Sequence, residues 1–346
     1  MKAVVKYGLG DREVELREVP EPGAPGPGEV ILEVRAAGVC GSDVEFWRSK
    51  IDYPINVPVI LGHEFCGVVH AVGEGVEGFQ TGDRVVSETA AVVCGVCEFC
   101  RSGEYNVCPE RLGFGYGVDG AFTRYVRVPV RCLHRIPEGV PFEHAALTEP
   151  IAVGYNALCV KSTVLPGDWV VVLGPGPIGL FAAQVAKIAG ARVVVVGLSV
   201  DRKRLAVAEQ IGFDAVLNAE RHSVARYIAE RTRGRGADLV VDAAGANAAF
   251  ATAMEIVRRN GQITKIAWNR NPLNLSLDPI VAKAVRVQGS YSHTWRTWEH
   301  VLELLAKGAV QIEPMITHRM PLTQWERAFE AAEEREAVKA ILYPVS

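Results

Sequence analysis

Between Trp169 and Gly289 the chain alternates short apolar runs with stretches of helical periodicity. "DWVVVLG", "ARVVVVG", "DAVLN", "DLVVDAAG", "GQITKIAW" and "VRVQGSY" are the apolar runs, and "PIGLFAAQVAKIAG" and "DRKRLAVAEQIG" are helical stretches between them. A strand that is apolar on both faces must be covered on both, and strands alternating with helices pair in parallel. The pattern predicts an α/β unit built on a doubly wound parallel sheet of six strands. It also leaves the first 150 or so residues to form something else.

The turn after the first of these strands reads "LGPGPIGL", with Gly174, Gly176, Pro177, Ile178 and Gly179 in a G-x-G-x-x-G pattern. It follows a buried strand and opens a helix, the context in which the pattern marks a dinucleotide site. The first glycine permits the tight turn, the second lets backbone approach a pyrophosphate, and the third lets helix and strand pack closely. At the end of the second strand, where an acidic residue normally takes the ribose hydroxyls, stands Gly197, followed by Ser199, Arg202, Lys203 and Arg204. Loss of the carboxylate and a run of cations favour NADP over NAD. The other reading is that Asp201 serves the ribose and the cations form a solvated helix start.

Upstream, short β-branched runs such as "EVILEVRAAGV", "FCGVVHAVG" and "AFTRYVRVP" are punctuated by "PGPGE" and "GEGVEGFQTGD", which predicts a mainly β domain. The tail gives two amphipathic helices, "WEHVLELLAKGAV" and "LTQWERAFEAAEER", and a final strand, and is too short to stand alone. The expected division is 1–153 with 290–346 as the β domain and 154–289 as the dinucleotide-binding domain. At 346 residues the chain is long enough for both. A net charge of −3 offers no field for nucleic acid, so none is expected as a partner. The charged amino terminus predicts no signal peptide, and the glycines and prolines inside Trp169–Ala186 exclude a membrane span, so a cytoplasmic protein is expected.

Four of the eight cysteines, Cys94, Cys97, Cys100 and Cys108, crowd into "CGVCEFCRSGEYNVC". Reduced clustered thiols point to a metal rather than a disulfide knot. The ferredoxin pattern requires three residues before its last cysteine where this chain has seven, and a nucleic-acid finger would carry basic flanks. Cys40 in "GVCGSDVEFW", His63 and Glu64 in "GHEF", and Glu149 in "LTEPIAVGY" form a mixed thiolate, imidazole and carboxylate set. Such a set suits zinc with a position left open for an alcohol, whose hydride can pass to a nicotinamide.

Gly62, His63, Glu64, Gly67, Gly73, Gly82, Asp83 and Arg84 resemble the G-H-E-x2-G-x5-G … G-D-R-V signature of the medium-chain zinc-dependent alcohol dehydrogenases, and "CGSD", "GPGPIG" and the ending from "ITHRMP" follow in that family's order. The resemblance covers essentially the whole chain. It implies a GroES-like catalytic domain, a Rossmann domain, a cleft between them, and a homotetramer or dimer. It also implies one catalytic zinc on Cys40 and His63. Glu64 would be a ligand or an exchangeable neighbour, and Glu149 a ligand or the holder of the metal's water. Ser42 would start the proton relay and Asp43 would orient His63. Cys94, Cys97, Cys100 and Cys108 match the family's closed structural zinc lobe. Glutamate at 149 resembles the polyol, sorbitol and butanediol dehydrogenase branch. Glu45, where sorbitol dehydrogenases tend to have histidine, and "GSYSHTW", which lacks their arginine, depart from sorbitol dehydrogenase itself. Tyr291 and His293 are left as pocket groups or ordinary loop residues. The expected activity is oxidation of a secondary alcohol, diol or polyol to a ketone. The alternatives are a threonine 3-dehydrogenase-like activity, and a catalytically silent nucleotide-binding relative.

Overall fold

The computed structural model describes residues 1–51 and 54–345. These form two compact units: one of residues 1–149 with Thr294–Gly308 and the chain from Ile316 on, the other of Pro150–His293 with Ala309–Met315. Among the described residues no helix is long and apolar enough to cross a membrane.

The second unit is the expected doubly wound sheet. Its six parallel strands run in the order Ala215–Asn218, Arg192–Gly197, Trp169–Leu173, Ala237–Asp242, Val257–Lys265, Arg286–Gly289. In chain order this is 3-2-1-4-5-6, so the first and fourth strands are neighbours and the connections reverse between them. The central strands are apolar because both faces are covered: every residue of Trp169–Leu173 and Ala237–Asp242 is buried. The sixth strand lies at the edge, paired on one side to the fifth, and Arg286 and Val287 are exposed.

The first unit is β-rich. One sheet runs Ile316–Pro321, Lys339–Tyr343, Glu29–Gly38, Glu64–Val72, Arg84–Ser87, Leu133–Arg135, with Tyr125–Pro129 also paired to Glu29–Gly38; a smaller one joins Val14–Glu18, Lys2–Lys6 and Val59–Ile60. The tail supplies the expected helices, Trp295–Ala306 and Trp325–Glu333, and the strand Lys339–Tyr343, plus one strand not foreseen, Ile316–Pro321. Its burial alternates, with Ile316, His318 and Met320 on the inner side, but a histidine at the middle inner position breaks the apolar alternation in the sequence; the strand pairs in parallel with Lys339–Tyr343.

The helix Gly41–Trp47 carries Ser42 and Asp43. At seven residues it is too short to persist alone and is held by burial of Val44, Phe46 and Trp47. Trp47 packs edge-on against Trp325 and Phe329, with ring centroids 6.1 and 6.0 Å away. Arg48, stacked over Trp47, makes a forked pair with Glu333, its Nε 2.9 Å from Oε1 and its Nη2 2.5 Å from Oε2.

Candidate active site

Strand register brings together residues far apart in sequence. Gly38 lies opposite Glu64 in the antiparallel pair, and Ile341 also lies opposite Gly38 on its other side. Cys40, two residues past the end of one strand, and His63, one residue before the start of the next, therefore meet at the same end. Lys339 enters from the third strand. The ligand atoms of Cys40, His63 and Glu64 all lie within 4.8 Å of one another. A Cβ on Gly38 would come within 2.3 Å of Glu64 Oε2, so glycine there leaves room for the carboxylate.

Each member is held from behind. Cys40 precedes the Gly41–Trp47 helix with extended backbone, and its N–H donates to Asp43 Oδ2 at 2.8 Å. Asp43 Oδ1 is buried without a hydrogen-bond partner and faces His63 Nδ1 at 3.5 Å. Ser42 Oγ lies 3.4 Å from His63 Nε2. Burial would lower the basicity of His63, but the Asp43 carboxylate and the Cys40 sulfur outweigh it and hold the imidazole well above its ordinary value. Glu64 is wholly buried, and burial pushes its carboxyl up even though both oxygens accept from Lys339 Nζ. Lys339 Nζ also donates to the Val39 carbonyl at 2.9 Å. Burial would lower Lys339, yet Glu64, Cys40 and Glu149 raise it. Glu149 is buried and its charge is felt by Glu64 and Lys339, but it stands outside the mutually close set.

The donor set fits a divalent cation. Asp43, Glu64 and Glu149 are buried acids and Cys40 adds a thiol; the buried ammonium of Lys339 serves Glu64, Cys40 and Glu149, while Asp43 faces His63. Uncompensated acids are costly out of water, and a dication among them offsets the surplus. Sulfur, imidazole and carboxylate together suit zinc.

The second thiol group fits a closed zinc site. The sulfurs of Cys94, Cys97, Cys100 and Cys108 lie within 4.8 Å of one another, with Cys94–Cys100 at 3.9 Å and Cys94–Cys108 at 3.6 Å. Four sulfurs about 2.3 Å from a central zinc lie about 3.8 Å apart. Backbone N–H groups of Cys97, Cys100 and Cys94 point at the sulfurs of Cys94, Cys97 and Cys108 from 3.3 to 3.4 Å. Such donors favour thiolate, and those of Val96 and Cys97 bring Cys94 down to about 7.

The lobe is anchored by groups that the sequence pattern does not single out. Tyr105 Oη donates to Glu88 at 2.9 and 2.7 Å from its two oxygens. His134, fully buried, lies between Glu88 (3.3 Å) and Glu299 (2.5 Å) and stacks on Trp298 with rings 5.5 Å apart and nearly parallel. Lys339 was missed as well. Its signal was present: one lysine at the head of "KAILY", a run otherwise fit for a core.

In the second unit the glycine turn has the shape a phosphate cradle needs. Gly174 has φ +103°, and any Cβ there would lie 2.8 Å from the Ala243–Ala244 backbone. A Cβ on Gly176 would meet open space, and one on Gly179 would strike the Gly174 carbonyl at 2.0 Å. Gly176 precedes the helix Pro177–Ile188, whose first N–H groups face this turn. At Gly197 a Cβ would press on the Pro175 ring at 2.8 Å and on the end of the Leu205 side chain at 2.9 Å, so a side chain at the position of the usual ribose carboxylate would require these neighbours to shift. Asp201 is buried, and its Oδ2 accepts from the N–H of Leu198 at 2.9 Å. Arg202 and Lys203 are exposed and Arg204 half-buried in the first turn of the helix Arg202–Ile211. His293 is buried, and Tyr291 meets Trp268 edge-on at 6.1 Å.

Comparison with known proteins agrees with this geometry. Residues 26–138 match the alcohol dehydrogenase GroES-like domain and residues 177–307 the zinc-binding dehydrogenase family. The chain is 40% identical to a sorbitol dehydrogenase of Halalkalibacterium halodurans over 346 residues, all of both chains. It is 36% identical to a D-arabitol-phosphate dehydrogenase of Enterococcus avium, covering 99% of this chain and 97% of that one. Among solved structures, the alcohol dehydrogenase TADH from Thermus sp. ATN1 superposes over 100% of both chains with a TM-score of 0.90 at 32% identity. The chain belongs to the medium-chain zinc-dependent alcohol dehydrogenases, on their polyol dehydrogenase-like side.

Proposed function

We propose that the protein oxidises a secondary hydroxyl of a diol or polyol to a ketone, with NADP as its preferred acceptor. The convergence of Cys40, His63 and Glu64 beside Ser42 carries this reading. Zinc held by Cys40 and His63, with Glu64 or Glu149 in reach, would supply electrophilic polarisation of the alcohol oxygen, and a nicotinamide cofactor bound by its pyrophosphate at the glycine turn would accept the hydride. Ser42, whose hydroxyl reaches His63, is the group positioned to take the alcohol's proton. Asp43, fixed by the Cys40 N–H, orients the imidazole. Lys339 holds the Glu64 carboxylate back within the set.

Three features support NADP. Gly197 brings no carboxylate to the end of the second strand, the Asp201 carboxylate accepts from the backbone of Leu198, and three cations, Arg202, Lys203 and Arg204, stand in the first turn of the helix that follows. Initial rates with NADP and NAD across butane-2,3-diol, sorbitol, xylitol, a pentitol phosphate and threonine test both parts. Turnover of a diol or polyol with NADP ahead is expected. NAD ahead overturns the cofactor preference, threonine ahead moves the substrate to amino alcohols, and silence across the panel with zinc loaded overturns the dehydrogenase reading.

A homo-oligomer is also proposed. The edge strand Arg286–Gly289 leaves backbone groups unpaired, and Val281 (83% exposed), Leu277 (55%), Val287 and Trp268 (68%) are exposed large apolar groups of the same unit. Light scattering is expected to give the mass of two or four chains, and Val281→Glu to shift it toward one; a monomeric native chain overturns this. The cytoplasm is the proposed compartment, supported by eight cysteines none of which is in a disulfide; recovery from an oxidising compartment would contradict it.

A further inference from the structure

Past the end of the second strand of the parallel sheet, where the adenosine ribose of a dinucleotide lies in folds of this kind, a carboxylate arrives from an unexpected direction. It belongs to Glu220, two residues past the third strand, Ala215–Asn218. The N–H of Ser199 donates to Glu220 Oε2 at 2.7 Å. The Ser199 hydroxyl also bonds to this carboxylate and, with that backbone N–H, holds Glu220 below the usual glutamate range. Asn218 ties the two loops together: its Nδ2 donates to Ser199 Oγ at 2.9 Å, and its Oδ1 accepts from the N–H of Glu220 at 2.9 Å. Gly197 has no side chain and the Asp201 carboxylate accepts from the N–H of Leu198, so the carboxylate that meets Ser199 here comes from beyond the third strand.

We propose that Glu220 limits how far the site prefers NADP over NAD. The proposal rests on the reading that this end of the sheet receives the adenosine half of the cofactor. A 2′-phosphate recruited by Arg202 and Lys203 needs donors, and the Ser199 N–H and hydroxyl are donors at this strand end. Glu220 already occupies them and repels a second anion. Both Glu220 and Ser199 are exposed, so no packing prevents the carboxylate from swinging into water when the phosphate enters. NADP binding then works against the Glu220 charge, while NAD, with a ribose hydroxyl in place of the phosphate, can leave Glu220 where it is and use it as an acceptor.

The test is calorimetric titration of the zinc-loaded full chain with 2′,5′-ADP and 5′-AMP, which report on this half-site without turnover. Glu220→Gln keeps the size and an oxygen to accept from Ser199 while removing the charge. It is expected to bind 2′,5′-ADP about fivefold to tenfold more tightly, with 5′-AMP within about twofold of native, and the gain should shrink at high salt. Glu220→Lys should extend the gain, and the ratio of KM values for NADP and NAD should fall in step. A native chain that prefers 5′-AMP, combined with a gain in Glu220→Gln, refutes the proposed NADP preference but supports the role of Glu220. Unchanged 2′,5′-ADP affinity in both variants overturns that role whatever the native preference, and so does an equal loss of both ligands, which would make Glu220 a loop brace.

Discussion

Cys40→Ser will lower kcat/KM for the best substrate by about a thousandfold or more, about 4 kcal/mol of lost barrier stabilisation. It will also release the zinc at that site while the zinc of the four-cysteine lobe stays. The substitution is close to isosteric and half-exposed, so no cavity opens. The Cys40 N–H still holds Asp43, and Asp43 still faces His63. What goes is the one soft donor of a set otherwise made of imidazole and carboxylate. The checks are metal content after dialysis, steady-state rates, and titration with 5′-AMP, which reads the second unit and should be unaltered. Full activity in Cys40→Ser, or native zinc content, would remove Cys40 from the metal site. Lost 5′-AMP binding would mean the change disturbed more than the metal.

Much of this architecture is legible in the chain alone. The six apolar runs from Trp169 to Gly289 became six parallel strands, because a fully buried strand cannot hide its composition. The glycine spacing at 174, 176 and 179 was informative because sterics leave little choice: Gly179 sits against the Gly174 carbonyl. Cys40, His63 and Glu64 could be named individually, but their approach depends on a register between Glu29–Gly38 and Glu64–Val72 that contains two irregularities no periodicity announces. Lys339 and Glu220 escaped notice for a related reason. Each acts on a residue more than twenty positions away or on a neighbouring loop, and a lone charge in a string does not say what it will face. Glu88, His134 and Glu299 look like unrelated polar residues until a strand, a loop and a helix bring them together. Charge pairing across the fold is thus the part that the sequence carries without displaying.

The four-cysteine lobe is the place where metal, rather than apolar burial, should sustain structure, and Cys100→Ser tests this most sharply. Between Cys94 and Cys108 the only regular elements are the four-residue helix Glu98–Arg101 and the single turn Tyr105–Val107; Val96 is 67% exposed. Buried residues in the stretch are Asn106 and Cys108. A segment with so little core cannot offset the entropy of its ordering, whereas structural zinc contributes about 10 kcal/mol or more to small folds of this kind. Cys100→Ser is therefore expected to lose the lobe's zinc, lower the apparent Tm, and open the chain to trypsin after Arg101, with cleavage at least about tenfold faster than in the native protein. Cleavage after Arg111 should not follow, because that side chain bonds Tyr116 Oη at 2.6 Å and Thr89 Oγ1 at 2.9 Å. Tyr105, bonded to Glu88, should keep the carboxyl half of the lobe docked, so Tyr105→Phe added to Cys100→Ser should extend cleavage toward Arg111, while Tyr105→Phe alone, with zinc in place, should resist the protease. A Cys100→Ser protein that keeps its zinc and its resistance at Arg101 would show that the lobe stands on its own contacts.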